Sequence, residues 1–174
     1  MTTPANKEQE LCKTCGFCCD GTLYARATSF EDEILLPNME TEKLDDSYWF
    51  KLPCSYFDKC CTVYDQTRPA ICGDFKCRLL KRFIKGKLEF DELEKLIQQI
   101  KEQKARLYKL IPNANITESI KNAYASFLDS NKDILESKNF RVKHSHLLLE
   151  WASYEHRLSK FHHKAAPTTA PKSQ

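Results

Sequence analysis

No apolar run in the chain approaches the roughly 18 residues that a membrane-spanning helix needs. The opening residues, Met1-Thr2-Thr3-Pro4-Ala5-Asn6-Lys7-Glu8, lack the apolar stretch of a signal peptide. The expected compartment is therefore the cytoplasm, and no membrane partner is expected. Neither sign of charge is in excess: the formal net charge is +3 over 174 residues. No global field therefore argues for nucleic acid or membrane. There is no glycine-rich cofactor-binding signature and no paired carboxylate placed for acid–base work. No internal repeat is visible beyond a shared helical rhythm. Residues 78–174 contain no cysteine.

The first 77 residues, by contrast, hold nine cysteines: Cys12, Cys15, Cys18, Cys19, Cys54, Cys60, Cys61, Cys72 and Cys77. In a reducing cytosol such density points to metal or catalysis rather than to disulfides. Hydrophobic residues are 41% of the chain and charged residues 29%, both near globular values. A cysteine-bearing region of roughly 80 residues folds more easily when something besides apolar burial staples it.

The pattern along the chain divides on the same line. Residues 1–11 read as a polar lead-in. Residues 12–23 read as a tight loop, with Gly16 and Gly21 available for turns of positive φ. A short strand is predicted over 24–28. A brief helix is predicted from Phe30 to Leu36, capped by Ser29 and stopped by Pro37. Residues 38–53, carrying Tyr48, Trp49 and Phe50, read as polar and irregular, and Thr62-Val63-Tyr64 as a short strand.

From Asp74 onward the period becomes helical. Leu79, Leu80, Phe83 and Ile84 share a face, with Gly86 as a stop. Asp91 with Glu94, and Asn115 with Glu118, form capping-box patterns. Apolar stripes follow at Leu93, Leu96, Ile97, Ile100 and Leu107, ending before Pro112, and at Ile116, Ile120, Ala123 and Phe127. A last stripe runs through Leu147, Trp151, Tyr154, Leu158 and Phe161. The expected fold class is mainly α: a small irregular metal-stapled cysteine-rich region, few short strands, and C-terminal helices packed against it. The expected division is a cysteine-cluster metal-binding region over 1–88, a helical region over 89–163 and a disordered tail over 164–174.

The first cysteine cluster is C-x-x-C-x-x-C-C. Two intervening residues let a turn bring two sulfurs to one ion while backbone N–H groups face the thiolates. Zinc takes four such ligands in a tetrahedron at about 2.3 Å, and iron–sulfur clusters use the same donors. The x3-C-P element that completes a ferredoxin run is missing, which argues against a double ferredoxin cluster. The second segment supplies Cys54, Cys60, Cys61, Cys72 and Cys77. Eight thiolates suffice for two tetrahedral sites, a compact multinuclear site, or one cluster with spare thiols. Arg68, Lys76 and Arg78 are placed to offset thiolate charge.

The order C-x-x-C-G-x-C-C, C-x-x-F, C-x-V-Y-x-x-x-R-P-x-x-C and F-x-C over residues 12–77 resembles the CxxCxxCC cysteine-cluster family, described as a zinc- or iron-chelating domain. The resemblance rests on eight cysteines with Tyr64, Arg68 and Pro69 in order. It implies metal ligation by Cys12, Cys15, Cys18, Cys19, Cys54, Cys61, Cys72 and Cys77. Cys60 is extra to the pattern and reads as a bystander thiol. Some longer proteins sharing the domain are associated with protein lysine methylation, but this chain carries no cofactor signature for that chemistry.

The leading expectation is a metal-binding protein whose zinc or iron, zinc favoured, chiefly holds the fold together. One alternative is an iron or iron–sulfur redox or modification enzyme, or its accessory. Another is an adaptor binding nucleic acid or an acidic protein partner through the basic run Lys76, Arg78, Lys81, Arg82, Lys85 and Lys87. That run more simply reads as the solvated face of an amphipathic helix. Tyr64, Arg68 and Pro69 read as structural. His144, His146, His156, His162 and His163 read as surface residues, and Asn115-Ile116-Thr117 as a helix cap.

Overall fold

The computed structural model describes residues 4–30, 36–44 and 47–162. These form a mainly α architecture. Its N-terminal helix, α1 (Pro4–Cys15), has proline in its first turn, where the missing N–H costs nothing. The expected polar lead-in is thus helical, and Cys12 and Cys15 lie on that helix rather than in a loop. The physical reason is that α1 draws its apolar face partly from cysteine, which packs as a small hydrophobe. Leu11 is buried and Cys15, one turn on, packs against the same core.

A three-stranded antiparallel sheet follows, with β1 (Arg26–Phe30) and β2 (Thr41–Leu44) flanking β3 (Ser47–Lys51). Ser29 and Phe30 therefore end a strand instead of opening a helix. The remainder of that expected helix, 31–35, lies outside the described residues, as do His163 and the 164–174 tail. The stretch expected to be irregular contains β2 and β3, because Tyr48, Trp49 and Phe50 suit a half-buried pleated surface. Opposite charges decorate the sheet: Arg26 faces Glu42 at 3.6 Å, and Lys51 lies 3.5 Å from Glu40. Met39, Phe50 and Leu52 form a small core beneath it.

A two-residue hairpin comes next, β4 (Phe57–Asp58) and β5 (Cys60–Cys61), turning at Lys59 with φ +59°. The strand expected at Thr62-Val63-Tyr64 is a turn instead. Short helices α2 (Ala70–Asp74) and α3 (Arg78–Ile84) lead into the long α4 (Phe90–Leu110). After them come α5 (Ile120–Asp129), a 3-10 turn at Lys132–Ile134, α6 (Lys138–Lys143) and α7 (Ser145–Leu158).

The helical stripes set the main core. Leu93, Ile97, Ile100 and Leu107 of α4 pack with Ile120, Ala123 and Phe127 of α5 and with Leu147, Tyr154 and Leu158 of α7. The caps sit elsewhere than expected. The box closes between Glu89 and Glu92 rather than Asp91 and Glu94. Ser119, accepting from the Asn122 amide at 3.2 Å, starts α5. The Asn115–Glu118 pair forms a turn before it, leaving Ile116 79% exposed. Gly86 follows the end of α3 at φ +63° as expected. Among the described residues no helix is long and apolar enough to cross a membrane.

Candidate metal centre

The cysteine loop at residues 16–23 is held from inside and outside. Phe17, between Gly16 and Cys18, is buried to 1% exposure and meets Phe161 edge-on at 5.4 Å. Asp20 accepts from the Thr22 amide at 2.8 Å and pairs with Lys104 of α4 at 2.8 Å. Lys104 also donates to the Thr22 hydroxyl at 3.0 Å. Lys101 of α4 donates to the Thr14 carbonyl, and Lys121 of α5 to the Leu23 carbonyl at 3.4 Å. Three lysines of the helical region thus anchor the loop and the helix end that precedes it, a role the sequence reading did not assign to them. Gly21 is needed here: its φ is +74°, and a Cβ would lie 2.8 Å from that of Ser119.

Cys12, Cys15, Cys18, Cys19, Cys54, Cys61, Cys72 and Cys77 all line one cavity of about 320 Å³. Among the described residues no His, Asp or Glu side chain lines it; Tyr24, Tyr64 and Arg68 do. Cys60 is outside that lining and exposed. The hairpin supplies the reason. Successive strand residues point to opposite faces, so Cys61 on the cavity side puts Cys60 on the other. Among the described residues, however, no three Cys, His, Asp or Glu side chains are gathered into a group that would hold an ion as they stand. The donor chemistry fits zinc or iron, and the convergence of the sulfurs is incomplete.

Burial dominates the electrostatics. It pushes the thiols of Cys15 and Cys18 far up, that of Cys19 up to about 12, and those of Cys54 and Cys77 upward too. Cys12 has an open flank, yet the protein around it raises its thiol to about 11, against the pull of Lys76 and Arg68. The amides of Leu79 and Leu80 oppose the rise at Cys77, whose Sγ caps α3 and accepts from Leu80 at 3.4 Å. Mutual repulsion adds to burial. Cys12, Cys15 and Cys18 each feel Cys77, whereas Cys19 feels Cys54, Cys61 and Cys72.

Compared with models of known families, with curated proteins and with solved structures, the chain matches none.

The flanking residues have defined places. Tyr64 is covered by the Arg68 guanidinium at 4.2 Å and by Lys13 at 4.6 Å, and Lys13 also pairs with Asp65 at 3.0 Å. Arg68 donates to the Cys72 carbonyl at 3.5 Å, so it ties the turn to the second cysteine segment. Lys76 pairs with Glu8 at 2.8 Å. Lys81, Arg82, Lys85 and Lys87 are exposed around α3, opposite buried Leu79 and Leu80. His144 packs on Phe127 and Phe140, and His162 lies edge-on to Tyr24 at 5.6 Å. His146 and His156 are exposed.

A pH dependence follows. Cys12 and Cys19 titrate in the folded metal-free chain near 11 and 12, above the ordinary thiol value of 9.0 that holds on unfolding. Their contribution to stability is therefore complete below about pH 9 and disappears as pH rises through about 11 and 12. Denaturant melts of the metal-free chain should show a midpoint that falls steadily above about pH 9. A flat profile there would mean that these thiols are not buried as described. Metal binding has the opposite sense: it needs thiolates, releases protons and tightens with rising pH.

Proposed function

We propose that the protein binds zinc or iron, zinc by preference, through Cys12, Cys15, Cys18, Cys19, Cys54, Cys61, Cys72 and Cys77, and that the metal chiefly holds the fold. The observation that carries this reading is the cavity lined by these eight cysteines and not by Cys60. They come from α1, the loop after it, the residue Cys54 ahead of the hairpin, the hairpin itself, α2 and the start of α3, so ions bound among them would tie these segments together. The resemblance of the spacing to the CxxCxxCC family supports the same reading. An all-sulfur, four-coordinate zinc site has no open position for substrate, which favours structure over catalysis. The same reading places the protein in the reducing cytoplasm, where thiols persist.

Elemental analysis of protein purified anaerobically without added metal, with its visible spectrum, is the test. About two zinc per chain and no colour are expected. Iron with acid-labile sulfide would instead put redox chemistry first, and a metal-free chain of normal stability would end the metal reading altogether.

A further inference from the structure

We infer that the eight cysteines form two separate four-sulfur sites whose boundary falls between the chain neighbours Cys18 and Cys19. Cys12, Cys15, Cys18 and Cys77 make the first site, and Cys19, Cys54, Cys61 and Cys72 make the second. The inference rests on the metal-binding reading and goes beyond it by assigning every sulfur.

Packing draws the first line. Cys15, Cys18 and Cys77 all pack against the main helical core, whereas Cys54 packs against the small core beneath the sheet, with Ile71 beside it. Cys12 belongs with the first set by its place on α1, one turn before Cys15; α1 packs on α3, which Cys77 caps, and also on β5, which brings the two sites side by side.

The backbone draws the second line. The Cys54 amide donates to the Cys19 carbonyl at 2.7 Å, a backbone tie between the two cysteine segments at the residue just past the boundary. The Phe57 amide donates to the Cys54 carbonyl at 2.9 Å, and Phe57 is the register partner of Cys61. Cys19, Cys54 and Cys61 are therefore linked through consecutive backbone contacts. Arg68, near Cys12 and bonded to the Cys72 carbonyl, stands between the sites, where two sets of four thiolates would concentrate negative charge.

In chain order the second site is nested inside the first. The two differ in what they pack on: three sulfurs of the first lie against the main helical core and Cys54 of the second against the small core beneath the sheet, while each site has one exposed cysteine, Cys12 and Cys72.

The deciding measurement is a proton–cadmium correlation spectrum of the wild-type chain loaded with cadmium-113, which assigns each cysteine β-proton pair to an ion without any substitution. Two cadmium signals are expected. One should correlate with Cys12, Cys15, Cys18 and Cys77, the other with Cys19, Cys54, Cys61 and Cys72. Zinc content supplies an independent reading: Cys15→Ser and Cys61→Ser should each lose about half of the bound zinc, from different sites. A cysteine correlating with both ions, or cadmium–cadmium coupling through a shared sulfur, would overturn the partition while leaving metal binding intact. So would Cys18 and Cys19 on one ion. No cadmium signal at all would overturn the metal reading itself.

Discussion

Stripping the metal with a chelator is expected to abolish the near-UV signature of residues 12–77 and to lower the melting temperature by about 20 °C or more. Among the described residues, the sheet's own core has Met39, Phe50 and Leu52 as its buried members. Each contributes about 1.5–3 kcal/mol by burial, too little to order the strands, the hairpin and α2 against their chain entropy. Structural zinc in small thiolate sites contributes about 10 kcal/mol of folding free energy, comparable to the whole stability of an ordinary domain. Differential scanning calorimetry with and without chelator, paired with near-UV circular dichroism, checks this. An unchanged melting curve and spectrum would show that the metal is not structural.

Replacing Phe17 by alanine should cost about 3–5 kcal/mol, as buried phenylalanine deletions do. Phe17 is 1% exposed and meets Phe161 edge-on, a contact that contributes about 0.5–1.5 kcal/mol beyond area. Its place between Gly16 and Cys18 makes the loss more than a cavity: the loop that carries Cys18 and Cys19 loses its anchor in the helical core. Chemical denaturation gives the stability change, and zinc retention after dialysis reads the loop. Phe17→Leu, which keeps most of the volume, should recover the larger part of both. Equal zinc retention in Phe17→Ala and wild type would detach the loop's order from the core beneath it.

α4, α5 and α7 were legible because their apolar residues recur at three- and four-residue spacing, as from Leu93 to Leu107 and from Leu147 to Leu158, whereas α6 buries Phe140 alone and carried no stripe to read. Their starts were less so. Asn115 and Ser119 both offer capping oxygens, and the choice falls to Ser119 because Ile120, not Ile116, reaches the core. In the N-terminal half the cysteines themselves hid the pattern. Counted only as a ligand, Cys15 leaves Leu11 of α1 without a partner one turn on; counted also as a small apolar group, it makes a stripe with Leu11. Tyr48, Trp49 and Phe50 signalled a strand that the surrounding acidic residues masked. At the candidate site, the cysteines and Arg68 were visible in the spacing, whereas Asp20, Lys101, Lys104 and Lys121 were not. Their partners lie far away in sequence, and single charged residues on helices carry no local mark of the loop they hold. Which sulfurs lie together is likewise a tertiary property.

Phe161 gives the chain an order in time. Its carbonyl accepts from the Arg78 amide at 3.0 Å, beside Cys77, and its ring closes on Phe17. A ribosome working at about 5–20 residues per second makes Phe161 roughly 4–17 s after Cys77. During that interval all the cysteines exist but the aromatic wedge that seats their loop does not. If the cysteines bind metal as proposed, the nascent protein thus passes through a stage in which its thiols are open to an ion, before α7 and Phe161 close the core over them.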